Sequence, residues 1–195
     1  MRVIGITGGI GTGKSTLLNY LQEHHGAYVV EADRLAHNLM QKGTPVYEAI
    51  LHEFGSDILN EDKSIDRKRL GAIVFGDENR LEQLNAIVHP AVKKEICADI
   101  LTKRKEGKVQ IYVIEAALLI EDGYRTICDE IWYIYADKEV RIRRLLAGRG
   151  GTREKWEQII DRQSSENYYL KNSDVVIHNN ESSEIMFEKT DALLS

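Results

Sequence analysis

The sequence of 195 residues contains only two cysteines, Cys97 and Cys128, and only two prolines, Pro45 and Pro90. The cysteines lie far apart and form no CxxC pair, so neither a disulfide framework nor a zinc knuckle is indicated. No apolar run approaches the roughly 20 residues of a membrane-spanning helix, and the first apolar run is too short for a signal peptide. These absences predict a cytoplasmic protein without a membrane partner.

An excess of positive charge is also lacking, because the net charge is -5. The protein therefore has no global positive field that could hold a nucleic-acid backbone, and we expect no nucleic-acid partner. With 43% hydrophobic and 29% charged residues, the chain has the composition of a globular protein with one sizeable core. We expect a monomer or a small homo-oligomer.

Short apolar runs alternate with amphipathic segments along most of the chain. Five of these runs are predicted to be strands, at residues 2–7, 27–30, 109–115, 130–135 and 174–177. Helical patterns separate them. The sequence therefore predicts an α/β fold with a five-stranded parallel sheet and helices on both faces.

The stretch from about 43 to 107 carries helix signals only. These predict a helix capped by Thr44 that runs from Pro45 to Gly55, one capped by Asp66, one from Asp77 to Val88 and a further one that opens at Pro90. We therefore predict a single domain over 1–195, with a core at 1–42 and 108–195 and a helical insertion at about 43–107. The insertion could be plain scaffold or could contact a substrate at the carboxyl edge of the sheet.

The segment GITGGIGTGKST at 5–16 lies between the first predicted strand and a predicted helix, and it satisfies the pattern G-x-x-x-x-G-K-[ST]. Glycines let successive backbone N–H groups turn toward phosphate oxygens, and the following helix adds the positive end of its dipole. We expect Lys14 to reach the β- and γ-phosphates and the Ser15 hydroxyl to coordinate Mg²⁺. The predicted nucleotide contacts are Gly8, Gly9, Gly11, Thr12, Gly13, Lys14, Ser15 and Thr16.

Asp33 follows the second predicted strand, in the segment YVVEADRLAH, at the same predicted sheet edge as the phosphate loop. A carboxylate there could accept the proton of an attacking hydroxyl group as the γ-phosphoryl group leaves ATP. It could equally cap a helix predicted from Arg34 to Lys42.

A phosphate loop does not by itself distinguish a kinase from a protein whose binding surface is ordered by a nucleotide. The guanine-reading motif N-K-x-D is absent, which argues against a GTP switch. The small size, the helical stretch and an arginine-rich segment favour a kinase with a small-molecule acceptor. A kinase for another nucleotide or nucleoside stays open on these grounds.

A series of segments, in order along nearly the whole chain, resembles the dephospho-CoA kinase family. They are TGGIGTGKS, EAD, FGSDIL, IDRKRLGAIVF, LNAIVHP, ALLIE and DVVIHN. The resemblance implies a three-layer, adenylate-kinase-like P-loop fold with a helical substrate insertion and a short lid. It also implies transfer of the ATP γ-phosphate to the ribose 3′-hydroxyl of dephospho-CoA, the last step of coenzyme A synthesis, with ATP and Mg²⁺ as cofactors.

The resemblance also implies roles for individual residues. Asp33 matches the proposed catalytic base, and Asp66, Arg67 and His89 match positions on the CoA side. Asn179 falls near the expected adenine pocket. Other interpretations stay open, because Asp66 could simply cap a helix, His89 could cap or pack at a helix junction, and Asn179 could belong to an ordinary turn.

Five arginines crowd one short segment: Arg141, Arg143, Arg144, Arg149 and Arg153. They could form a solvated helix face, or a lid at about 141–156 that supplies guanidinium groups to the transition state. We predict catalytic roles for Arg144 and Arg149. The sequence departs from the family pattern here, because Gly148 occupies the position of a second arginine, and Ala117 replaces a proline in the EAALLIE segment.

Overall fold

The computed structural model describes residues 1–195, and its centre is a five-stranded sheet. The strands are β1 (Arg2–Thr7), β2 (Tyr28–Glu31), β3 (Ile111–Glu115), β4 (Glu130–Tyr135) and β5 (Val175–His178), in the order β2-β3-β1-β4-β5. The pairs β1–β3, β1–β4 and β4–β5 are parallel. Each strand begins and ends within two residues of its predicted bounds, so the predicted sheet is confirmed.

Nine α-helices complete the structure. They are α1 (Lys14–His25), α2 (Ala32–Leu39), α3 (Pro45–Phe54), α4 (Arg67–Val74), α5 (Glu78–Glu106), α6 (Lys138–Arg149), α7 (Arg153–Asp161), α8 (Glu166–Asn172) and α9 (Ser183–Leu194). None of them is both long enough and apolar enough to cross a lipid bilayer.

The chain forms two compact units, one made of Met1–Val29 with Lys103–Ser195 and the other of Val30–Thr102. The first unit holds the phosphate loop and helices α1 and α6–α9. The second unit is helical, as predicted for 43–107, but it begins earlier because α2 packs against α3. The description of 1–195 as one domain with an insertion stays a prediction.

The core of the first unit explains why helices cover both faces of the sheet. Ile4 and Ile6 of β1, like Trp132 of β4, are fully buried on one face, among residues of α1 and α9. On the other face, Tyr133 of β4 stacks on Tyr169 of α8, with 4.8 Å between the ring centroids. Alternate residues of one strand thus face opposite helical layers, which confirms the three-layer arrangement.

Arg2 and Glu130 join the beginnings of β1 and β4. The Nη2 atom of Arg2 donates to Glu130 Oε1 at 2.8 Å and to Oε2 at 2.7 Å, and Trp132 Nε1 donates to Oε2 at 2.9 Å. The hydrogen bonds from Arg2 lower the pKa of the Glu130 carboxyl group, and the bond from Trp132 adds to this effect. The pair therefore favours the charged carboxylate in the folded state.

Side-chain caps begin two helices of the second unit, α3 and α4, at the predicted positions. Thr44 Oγ1 accepts a hydrogen bond from Tyr47 N at 3.1 Å, with Pro45 as the first helical residue. Asp66 Oδ1 accepts from Lys68 N at 2.9 Å. Such caps satisfy N–H groups that have no partner within their own helix.

The predicted break between two helices at Pro90 is wrong, because α5 runs without interruption from Glu78 to Glu106. Proline removes one backbone hydrogen bond and crowds the preceding turn, which normally ends or kinks a helix. Here the buried residues Val88, Val92, Ile96 and Ile100 follow one another every four residues. This apolar stripe continues across the proline, so packing of the stripe outweighs the lost hydrogen bond.

Candidate active site

The phosphate loop connects β1 to α1 and packs too tightly for side chains at several glycines. Gly8 has φ 150°, and a Cβ atom there would lie 2.5 Å from the carbonyl oxygen of Ile134. Gly13 has φ 97°, and a Cβ atom there would lie 2.3 Å from Asn179 Nδ2. Both the backbone conformation and the close neighbours therefore require glycine at these positions.

A cavity of about 370 Å³ lies over this loop, within the first unit. It is lined by every residue from Gly9 to Thr16 and by Arg144, Leu145, Gly148 and Arg149 of α6. The first turn of α1 presents N–H groups that lack partners within the helix, together with the positive end of the helix dipole. Backbone donors and two guanidinium groups around one cavity suit a polyphosphate.

Lys14 lies at the start of α1, where its ammonium group is held above the loop. Its Nζ atom donates to the Gly8 carbonyl oxygen at 2.7 Å, and it lies 3.7 Å from Glu115 Oε1. Glu115 is the last residue of β3. The ion pair brings the carboxylate at the end of this strand to the edge of the phosphate loop.

The two predicted catalytic arginines differ in their contacts. Arg144 donates from Nη1 to the carbonyl oxygen of Asn179 at 2.9 Å and from Nη2 to that of Glu181 at 3.2 Å. The side chain of Arg149 is exposed and forms neither a hydrogen bond nor an ion pair in the structure. Arg144 is thus committed to backbone oxygens, whereas the guanidinium group of Arg149 is available to a ligand.

Asn179 follows β5 directly and is 3% exposed. Its Nδ2 atom donates to the carbonyl oxygen of Thr12 at 2.8 Å, and its Oδ1 atom accepts from Arg144 Nη2 at 3.4 Å. Its side chain therefore supports the phosphate loop. An ordinary turn residue, the alternative interpretation of Asn179, would not have this role. A contact between Asn179 and adenine stays a prediction.

The connection from α6 to α7 lies in the predicted lid at about 141–156. Gly150 and Gly151 have φ values of 64° and 84°, in the left-handed region. The indole Nε1 of Trp156 donates to the carbonyl oxygen of Gly150 at 2.8 Å. Arg153 forms ion pairs with Glu139 of α6 and Glu157 of α7. Its positive charge is therefore paired with carboxylates of the helices and does not face the cavity.

Sequence reasoning missed Gln163, which accepts a hydrogen bond from Ile10 N at 3.1 Å. Arg141, one of the five crowded arginines, also contacts the loop, because its Nε atom donates to the Ile10 carbonyl oxygen at 2.7 Å. A glutamine in a polar segment matches no motif. Only the folded chain brings these two residues to the loop.

Asp33 belongs to the second unit and lies in the first turn of α2, whose N-cap position is Glu31. The alternative in which Asp33 caps this helix is therefore wrong. Its side chain is exposed and has no hydrogen-bond or ion-pair partner.

The other predicted substrate residues also lie in the second unit. Asp66 caps α4, as its alternative interpretation predicted. Arg67 lines a cavity of about 270 Å³ together with His37 and Lys42. His89 lies half-buried inside α5, one residue before the proline, so the helix-junction interpretation is wrong for it. The structure thus places Arg67 at a cavity rich in basic groups, while His89 does not line it.

A family model described as dephospho-CoA kinase matches residues 2–184. The chain belongs to the dephospho-CoA kinase family. A relative from Symbiobacterium thermophilum named dephospho-CoA kinase is 42% identical over 179 residues, which cover 92% of this chain and 74% of the relative. A kinase family implies ATP as the phosphoryl donor and, in this family, a small-molecule acceptor.

Solved structures agree with the dephospho-CoA kinase fold. Dephospho-CoA kinase from Campylobacter jejuni is 26% identical with a TM-score of 0.73, and the match covers 100% of this chain and 96% of that one. Shikimate kinase from Acinetobacter baumannii, at 13% identity and a TM-score of 0.57, matches 100% of this chain and 93% of its own, and shows the fold alone. The predicted P-loop kinase fold is confirmed.

Proposed function

We propose that this chain transfers the γ-phosphoryl group of ATP to the ribose 3′-hydroxyl group of dephospho-CoA, giving coenzyme A and ADP. The observation that carries the proposal is the glycine loop with its arginine-lined cavity, in a chain that matches the dephospho-CoA kinase family over residues 2–184. The reaction would take place in the cytoplasm, with no nucleic acid involved.

The triphosphate would bind in the cavity over the loop. Backbone N–H groups of residues 11–16 would contact its oxygens, and Lys14 would exchange its contact with the Gly8 carbonyl oxygen for the β- and γ-phosphates. Arg149 has no competing partner and would spread the charge of the transferring group. Arg144 is held beside the cavity by its hydrogen bonds to the carbonyl oxygens of Asn179 and Glu181, and it would contribute its positive charge from that fixed position.

Mg²⁺ fits the donor chemistry of the loop. No cluster of three or more His, Cys, Asp or Glu side chains could hold a metal ion by itself. Mg²⁺ usually takes only one or two protein oxygens, and phosphates and water complete its octahedron. The Ser15 hydroxyl group and the Glu115 carboxylate are hard oxygen ligands at or beside the loop, so they would hold it. When bound, the ion neutralises charge on the phosphate oxygens.

Asp33 would act as the base. Its carboxylate would accept the proton of the 3′-hydroxyl group while that oxygen forms a bond to the γ-phosphorus. The bond from the γ-phosphorus to the bridging oxygen breaks at the same time, and ADP leaves with that electron pair. The support is an exposed carboxylate without a partner, in the first turn of a helix.

The acceptor would occupy the second unit. Arg67 and Lys42, together with His37, line a cavity that suits the anionic diphosphate of dephospho-CoA. Asp66 would keep Arg67 in place by capping α4. His89 would contact the acceptor from its position within α5. These roles on the CoA side are proposals that rest on the family match and on the position of Arg67.

In the deciding experiment, the protein is incubated with Mg·ATP and one candidate acceptor at a time. The acceptors are dephospho-CoA, AMP, CMP, adenosine and shikimate. We expect phosphate to appear on dephospho-CoA, at the 3′ position by phosphorus NMR, and ADP to form in equal amount. Lys14→Ala is the control for adventitious activity and should lose most of the turnover. Turnover of a nucleoside monophosphate with dephospho-CoA left untouched would overturn the proposal.

A further inference from the structure

Ile10, in the middle of the phosphate loop, has both of its backbone polar groups bound by side chains from outside the loop. Its N–H group donates to Gln163 Oε1 at 3.1 Å, and its carbonyl oxygen accepts from Arg141 Nε at 2.7 Å. The Nη2 atom of Arg141 donates to the same Gln163 Oε1 at 2.5 Å. The two side chains thus form one closed bracket around a single peptide segment.

The bracket lies in a crowded and partly desolvated place. A Cβ atom on Gly9 would lie 2.3 Å from Arg141 Nη2 and 2.7 Å from Gln163 Oε1. Burial lowers the pKa of Arg141 below its ordinary value, and Tyr133 counters this effect. The guanidinium group stays protonated, because arginine does not lose its proton in proteins. A charged donor in such surroundings forms stronger hydrogen bonds than one in water.

The bracket also determines which backbone donors remain for a phosphate. The N–H group of Ile10 is occupied by Gln163, so a phosphate in the cavity must rely on the N–H groups that follow it. Those groups can bind without reorganisation only if the curve of the loop is fixed in advance, and such preorganisation is what makes backbone donors effective. The hydrogen bonds to both the N–H group and the carbonyl oxygen of Ile10 fix the backbone at the start of that curve.

We infer that Arg141 and Gln163 are positioning residues for the nucleotide, which act through the backbone of Ile10. Arg141 belongs to α6, which also carries Arg144 and Arg149, and Gln163 follows α7, so the bracket couples the shape of the loop to α6 and to the end of α7. The inference needs only a nucleotide in the loop cavity. It does not depend on the identity of the acceptor.

Gln163→Met tests the bracket, because methionine has a similar length but no oxygen acceptor. Gln163→Glu is the conservative variant, since both bonds end on an acceptor oxygen that a carboxylate also provides. Gln158→Met makes the same change at an exposed position of α7 and serves as the control. The probe is ADP, titrated calorimetrically without any acceptor, so the result stands apart from the test of the proposed function.

We expect Gln163→Met to weaken ADP binding roughly 5- to 50-fold, the loss that corresponds to one or two hydrogen bonds. Gln163→Glu should stay within about threefold of the wild type, and Gln158→Met should bind as the wild type does. In turnover, the KM for ATP should rise in Gln163→Met while the KM for the acceptor stays unchanged. A purely structural role would lower the melting temperature and impair both substrates alike.

Wild-type affinity for ADP in Gln163→Met would overturn the inference, and so would a Gln163→Glu variant that binds as weakly as Gln163→Met. If Gln163→Met does not fold, Arg141→Lys replaces it, because a single ammonium group cannot reach both Ile10 and Gln163 in the way the guanidinium group does. Arg141→Lys should then weaken ADP binding at least fivefold. Unchanged binding in that variant would equally overturn the inference.

Discussion

Asn179 donates a side-chain hydrogen bond of 2.8 Å to the carbonyl oxygen of Thr12, although 167 positions separate the two residues in the chain. The bond joins the segment after the last strand to the phosphate loop after the first. Because both groups are buried, loss of the bond leaves the Thr12 carbonyl oxygen without water to replace it.

Asn179→Ala should therefore reduce the free energy of unfolding by about 1–3 kcal/mol, the range for an unsatisfied buried polar group. Urea denaturation measures this loss. Asn180→Ala is the matched control: Asn180 Oδ1 accepts from Asp137 N at 2.7 Å, but in an exposed place where water can substitute. An equal loss in the two variants would contradict the role of burial.

Asp33→Asn should lower kcat by about 10²–10⁴-fold, because the amide cannot accept the proton of the attacking hydroxyl group. The affinity for ATP should stay unchanged. Glu48→Gln is the control, since Glu48 is an exposed acidic residue in the first turn of α3, as Asp33 is in α2. Steady-state kinetics with both substrates varied measures the effect. Normal turnover in Asp33→Asn would remove the base from the mechanism.

Arg149→Met should lower kcat by about 10²–10³-fold through lost stabilisation of the transferring phosphoryl group. The free energy of unfolding should stay within about 0.5 kcal/mol of the wild-type value, because the side chain is exposed and has no partner. Arg104→Met, at an exposed position of α5, controls for the loss of one positive charge. Turnover and urea denaturation are measured on the same preparations. If Arg149→Met loses stability instead of turnover, the assignment fails.

Glu130→Gln should reveal an acid-dependent part of the stability. The hydrogen bonds from Arg2 lower the pKa of Glu130 in the folded state, so the carboxylate stabilises the fold above its ordinary pKa of about 4.3. That contribution disappears as the pH falls through the lower folded pKa. Wild type should therefore exceed Glu130→Gln in urea midpoint at pH 7, and the gap should close at acid pH.

Glu188→Gln, at an exposed position of α9, is the control for the acid titration and should show little difference from wild type at any pH. If the difference in urea midpoint between wild type and Glu130→Gln stays constant down to about pH 2, the stabilising effect of the Glu130 hydrogen bonds does not depend on its charge.

The strands and the phosphate loop could be predicted because their signals are local. Apolar runs specify buried strands, and the glycines, Lys14 and Ser15 form a pattern with few other uses. The caps at Thr44 and Asp66 are equally local, since a side chain bonds to N–H groups two or three residues ahead.

Other features depended on packing between distant segments, and the sequence did not reveal them. Pro90 predicts a helix boundary locally, but the buried stripe beneath α5 overrides it. Gln163 carries no signal of its own, and its role arises only where it meets Ile10. The division of labour between Arg144 and Arg149 likewise depends on which carbonyl oxygens lie nearby in the folded chain.

The connection between α6 and α7 has one further consequence, since the chain contains only two tryptophans. Trp132 is fully buried in the sheet, whereas the indole of Trp156 is bonded to Gly150, at the turn between the two helices. Rearrangement of that turn changes the surroundings of one indole and leaves the other in constant surroundings. The protein thus contains a native fluorescence reporter, with its own internal reference, for following this turn in real time without an added dye.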